Sequence, residues 1–230
     1  MILRRCSLLV SVVVASILAA SCSSDPPPAA PPASYTATAP VYVAIGADET
    51  VGNGATRPLL DSWVQIFYRS ALPDDTVFIN VAARGATTAD AARMQVPQAT
   101  SLRPTIVTVW LGTQDLLKGV SPANFESALD QVLTGVGDAR VTKVLVASIG
   151  DLASRSDVVN AVAAQFGTAD AARSAIGAYE LAIERATARN GAKVVDVGAS
   201  EGSAGAAPAG LNLDNAAHAR VAAAFAAAAA

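Results

Sequence analysis

From Val41 onward, short apolar runs alternate with longer stretches in which apolar positions recur every three or four residues. The runs Val41–Ile45, Val77–Val81, Ile106–Leu111, Val144–Ile149 and Val194–Val197 are rich in β-prone residues and have the length of buried strands. Between them Arg57–Ser70, Thr88–Arg93, Pro122–Leu133 and Ala169–Asn190 read as helices, with Asn215–Ala229 as a closing one. Ser121 before Pro122 is a helix-start signal, and Gly191 is a stop just past the long helix. Strands alternating with helices predict an α/β fold, with a parallel sheet of about five strands covered on both faces.

The first strand runs into GADETVGNGAT, a Gly-punctuated loop with an acidic pair at its tip. Loops at the carboxyl ends of buried strands are where α/β folds place their chemistry, so Asp48 is the first candidate site residue. Its carboxylate has three uses: a nucleophile that forms an aspartyl ester, a ligand to a hard cation together with Gln114 and Asp115, or an acceptor of hydrogen bonds. The first needs a placed base, and the second has no metal-binding spacing to support it. Gly52 and Gly54 read as a flexible turn, since neither a Gly-x-Gly-x-x-Gly nor a Lys-Ser/Thr follows. Trp63 and Trp110 read as packing residues, Asp151 as a turn or cap, and Glu180 as an exposed position on the long helix.

Composition narrows the picture. The chain has 230 residues, of which 52% are hydrophobic and 15% charged, with net charge −3, which is too little charge and the wrong sign for a nucleic-acid partner. Both cysteines, Cys6 and Cys22, precede the α/β region, which therefore holds no disulfide. The chain has a single histidine, His218, four residues after Asp214 and on the same face of the closing helix. It reads as a surface or helix-packing residue. No metal and no other cofactor is expected.

Residues 1–22 have the layout of an export signal: Arg4 and Arg5, then an apolar run from Leu8 to Ala20 that is shorter than a membrane span. The run ends in LAASC, which resembles bacterial lipoprotein signals. That resemblance implies cleavage before Cys22 and diacylation of its thiol, although Ala19 stands where such signals prefer Leu. Residues 23–40, rich in Pro, Ala and Ser, then read as an extended tether to a domain over 41–230. The expected location is extracytoplasmic, lipid-anchored to the cell membrane or envelope.

Five segments in order resemble the SGNH (GDSL-type) hydrolases. GADETVGNGAT is similar to the block in which a strand ends in the nucleophilic serine, and NVAARGATTADA to the block whose glycine, here Gly85, donates a backbone N–H to the oxyanion. VWLGTQDLL is similar to the Gly-Thr-Asn-Asp block, and AYELAIERATARNGAKVVDV to the long helix and last strand. AGLNLDNAAHARVAAAF resembles the Asp-Gly-x-His block before a C-terminal helix. The resemblance implies a three-layer α/β/α, flavodoxin-like fold and an ester-hydrolase ancestry. It also implies that Asp48 replaces the nucleophile, Gln114 the oxyanion-binding Asn, Ala209 the Asp and Asn212 the His, with only Gly85 retained.

The family reaction needs a nucleophile, a base and an orienting acid. With those positions replaced, the Asp48 carboxylate is expected to fill the oxyanion site, accepting from Gly85 and Gln114, with Arg84 as an ionic partner. Two function classes follow. One is a non-catalytic, membrane-tethered module that binds an envelope glycan, lipid or protein. The other is an acyl-ester hydrolase working through a non-standard site around Asp48.

Overall fold

The structure, a computed structural model, describes residues 39–136, 143–198 and 213–230, together with the backbone of 206–207 and 210–211. The expected signal, the lipidation site Cys22 and almost all of the tether lie outside the described residues, as do Ala209 and Asn212.

Five parallel strands form one sheet in the order β2-β1-β3-β4-β5: β1 Val41–Gly46, β2 Val77–Asn80, β3 Ile106–Trp110, β4 Lys143–Ala147 and β5 Lys193–Val195. β1 and β3 are central and buried on both faces, which is why they read as unbroken apolar runs. β2 lies on the edge and leaves Val77 half exposed. In the middle of the sheet the Tyr42 and Thr108 hydroxyls share a hydrogen bond of 2.9 Å. Burial pushes the Tyr42 phenol far up, so it stays neutral.

Helices α3 (Trp63–Ala71) and α10 (Asn215–Ala229) pack together on one face, where Trp63 stacks on Phe225 and meets Trp110 edge-on. Both tryptophans are core residues. Helices α7 (Pro122–Gly135), α8 (Ser156–Phe166) and α9 (Ala169–Asn190) form the other layer, with Phe125 stacked on Tyr179 at 4.1 Å. Ser121 caps α7 and Thr168 caps α9, each accepting a backbone N–H from the first turn. These are the three α/β/α layers.

Several elements depart from the expected pattern. The loop after β1 is not a loose turn: Asp48–Val51 form a helical turn, α1, closed by Gly52 in the left-handed region. The helix expected over Arg57–Ser70 is two pieces, α2 (Pro58–Asp61) and α3, divided at an extended, buried Ser62. The break has a physical cause, because the Trp63 N–H is taken by the His218 imidazole. The helix expected over Thr88–Arg93 instead runs from α4 (Thr88–Asp90) through a π turn at Ala91–Gln95 into α5 (Val96–Ser101), which carries Pro97 in its first turn. Besides α1, two helices went unpredicted: α6 (Thr113–Leu117) and α8, whose buried Val158, Val159 and Val162 form a helical stripe. Asp151 is the expected turn residue, and Ser154 Oγ donates to its carboxylate at 2.7 Å.

Candidate functional site

The chain leaves β1, crosses to β2, and returns to β3 on the far side of β1. The carboxyl ends of β1 and β3 therefore flank the switch in strand order, the usual place for a ligand in an open α/β sheet. Three segments meet there: α1 after β1, the Arg84–Gly85 turn after β2, and α6 after β3.

Asp48, the first residue of α1, is only 4% exposed. Its Oδ2 accepts the Gly85 backbone N–H at 2.8 Å and the Gln114 Nε2–H at 2.9 Å. The longer Gln114 side chain thus still reaches the shared point. Gly85 adopts φ 68°, a left-handed conformation that suits glycine and aims its N–H at the carboxylate. Arg84 lies with Nη1 4.0 Å from Asp48 Oδ1 and also donates to Asn53 Oδ1 at 3.2 Å. Lys118 Nζ donates to the Gly85 carbonyl at 2.5 Å, adding a second cation beside the same turn.

Two polar side chains that sequence reasoning passed over hold this loop. Gln95, buried in the π turn, accepts the Gly46 N–H and donates to the Gly46 carbonyl, both at 2.9 Å. It pins the last residue of β1, two before Asp48, where β2 no longer pairs with it. Asn80 Nδ2 donates to the Thr50 carbonyl at 2.9 Å and so fixes α1 to the end of β2. In the sequence each was simply an amide side chain, which carries no information about its partner.

Asp115 turns away from Asp48. Its carboxylate accepts the Thr88 N–H at 2.9 and 3.2 Å and the Thr88 hydroxyl at 2.9 Å, so the metal reading that joined it to Asp48 lacks its geometry. Among the described residues no three His, Cys, Asp or Glu side chains converge as a metal site requires. Burial pushes the Asp115 carboxyl up to about 6, against the pull of the Thr88 donors. A raised folded pKa means that stability is greatest below the ordinary carboxyl range and falls as pH rises through 6. The stability difference between wild type and Asp115→Asn is therefore expected to shrink by about 2 kcal/mol from pH 4.5 to 7. Urea unfolding at the two pH values measures it, and a pH-independent difference would contradict the assignment.

Glu180 is another correction. Rather than being exposed, it is half-buried and leans on the Ile149 and Gly150 backbone amides, beside Asp151, Glu184 and Asp196. Burial, reinforced by the Asp196 and Glu184 carboxylates, holds it up at about 6.

His218 is fully buried, not on the surface. Its Nδ1 accepts the Trp63 N–H at 3.2 Å, which leaves Nε2 to carry the proton and donate to the Asn53 carbonyl at 3.2 Å. Asp214 does not hydrogen-bond to the ring; its carboxylate caps α10 through the Ala217 N–H at 2.7 Å. Burial lowers the imidazole below its ordinary value, so the ring is neutral with both nitrogens committed. The chain's single histidine is therefore a structural tie between α10, α3 and the site loop, not a base for Asp48.

A five-stranded parallel sheet of this order, with donors from the second and third loops converging on the first, defines the SGNH-type hydrolase fold. The chain belongs to the GDSL-like lipase/acylhydrolase family, whose model matches residues 42–224. Among solved structures it is similar to LAE5, an alpha/beta hydrolase enzyme from the metagenome of Lake Arreo (20% identity, TM-score 0.63, 83% of this chain and 96% of that one). It is also similar to a carbohydrate acetylesterase family member from Sinorhizobium meliloti (15%, TM-score 0.63, 83% and 97%). A third is a member of the lipolytic protein G-D-S-L family from Veillonella parvula (14%, TM-score 0.61, 81% and 96%). At these identities the likeness is one of fold. No curated protein matches the chain at a significant level.

Proposed function

We propose that this chain is a non-catalytic member of its family: an envelope lipoprotein, tethered through Cys22, whose site binds an acylated glycan, a lipid or a protein partner instead of hydrolysing an ester. The observation that carries the reading is the position of Asp48. Its carboxylate accepts from the Gly85 N–H and the Gln114 amide, the donors that acyl transfer would need for a developing oxyanion. Donors held by a resident carboxylate do nothing for a transition state. The second support is His218, the chain's single imidazole, which is spent on Trp63 and Asn53. With that imidazole committed, a serine or an aspartyl-ester route lacks its usual base. The acylhydrolase description of the family, with solved neighbours named as a carbohydrate acetylesterase family member and a lipolytic protein, supports an acylated envelope component as the ligand class.

The test is the purified protein against short-chain p-nitrophenyl esters, with a fluorophosphonate probe for reactive hydroxyls. Neither hydrolysis above background nor covalent labelling is expected, and Asp48→Ser is expected to stay inactive because the base is still missing. Recovery of p-nitrophenyl acetate hydrolysis by that one change would overturn the reading. Labelling of the wild type would favour the alternative, an ester hydrolase with an unorthodox site.

A further inference from the structure

We propose that Gly85, Gln114 and Arg84 form an intact carboxylate-binding site that Asp48 fills from within, as an internal ligand. The inference rests on the reading of Asp48 as a non-reacting acceptor, and it goes further by naming a ligand class that the hole takes once the side chain is removed.

The geometry is that of a bound carboxylate. One oxygen of Asp48 receives two N–H donors at 2.8 and 2.9 Å, from elements that follow two different strands. The other oxygen faces the Arg84 guanidinium at 4.0 Å. Lys118, on the Gly85 carbonyl, adds positive charge at the same turn. None of these donors depends on Asp48 for its place. Gly85 is set by the turn after β2 and Gln114 by α6, while Arg84 is also held by Asn53 Oδ1 at 3.2 Å. The hole is therefore preorganised, and charge-assisted hydrogen bonds to a carboxylate are the strong kind.

The chemistry of the side chain names the probes. An aspartate side chain is an acetate joined to the backbone, so Asp48→Gly removes the equivalent of one acetate. Asp48→Ala keeps the β-carbon and removes the equivalent of one formate. Each deletion takes away the oxygen on which the Gly85 N–H and the Gln114 Nε2–H converge, and losing a shared acceptor costs stability until another enters. A small carboxylate supplies that acceptor. In the wild type the same anion finds the hole occupied.

The experiment is thermal unfolding of the full-length protein and its variants in acetate, formate or chloride at matched ionic strength. Asp48→Gly is expected to be stabilised by acetate in a saturable way, its unfolding constant falling about tenfold at a concentration ten times the dissociation constant. Asp48→Ala is expected to respond to formate more than to acetate. The wild type and the Asp48→Gly/Gln114→Ala double variant are expected to respond no more than to chloride. If a deletion variant does not fold in chloride, its refolding yield with the matching carboxylate is measured instead, and a rise supports the site. Equal responses in wild type and variants, or none in either deletion variant, would overturn the proposal. Ester turnover is a separate readout, so that failure leaves the non-catalytic reading to its own test.

Discussion

Gly54→Ala is expected to destabilise the domain by about 3–5 kcal/mol, among the largest effects of any single methyl group in the chain. Gly54 has φ 87°, where an L side chain is strained. Its added Cβ would also lie 2.4 Å from the Leu213 carbonyl oxygen and 2.8 Å from the Leu213 nitrogen. Those are backbone atoms, and they do not rotate aside as a side chain does. The neighbouring Asn53 carbonyl accepts the Leu213 N–H at 3.2 Å, so the methyl group wedges apart a contact joining the site loop to the start of α10. Gly177→Ala is the matched control: it lies inside α9, its Cβ would meet nothing within 4 Å, and it is expected to gain about 0.5–1 kcal/mol. Denaturant midpoints of the two variants decide the matter. A wild-type midpoint for Gly54→Ala would show that the loop does not need this close approach.

His218→Ala is expected to cost about 2–4 kcal/mol, from a cavity under Trp63 and a helix-start N–H left without its acceptor. The pH dependence carries the sign of a buried neutral ring. Its folded pKa is lowered, so its contribution is present above the ordinary histidine range, near 6.5, and fades as pH falls below it, because the unfolded chain takes the proton more readily. The gap between wild type and His218→Ala is thus expected to be widest near pH 8 and narrower at pH 5, read by urea unfolding at each pH. Background ester hydrolysis is expected to be the same in both proteins. A fall in turnover with an unchanged unfolding midpoint would restore His218 as a base.

Both predictions concern residues whose role was invisible in the linear chain. Gly54 looked like part of a flexible turn, and His218 like a helix residue of no particular consequence. Their partners lie far away in sequence: 155 residues separate His218 from Trp63, and 165 separate it from Asn53. Periodicity reports which face of an element is buried, not what that face meets. The same limit hid Gln95, whose clamp on Gly46 spans 49 residues. It also explains the break at Ser62, where a tertiary acceptor for the Trp63 N–H prevails over local helical preference.

The sequence by itself determined the architecture. Runs of β-branched residues placed all five strands to within a few residues, and capping signals marked α7 and α9. Short helices escaped because one or two turns hold too few apolar positions to show a period, as at α1 and α6. The ordered blocks also brought Asp48, Gly85 and Gln114 to one end of the sheet, since strand order dictates which loops meet. Only the tertiary structure decided what that meeting is. The residue types already suggested a carboxylate seated between Gly85 and Gln114 as one of three uses of Asp48, but choosing among the three is a matter of atomic positions, which residue types narrow and do not fix. The 2.8 and 2.9 Å bonds to Asp48, and an imidazole turned toward Trp63 and Asn53, arise from packing of the whole domain around that loop.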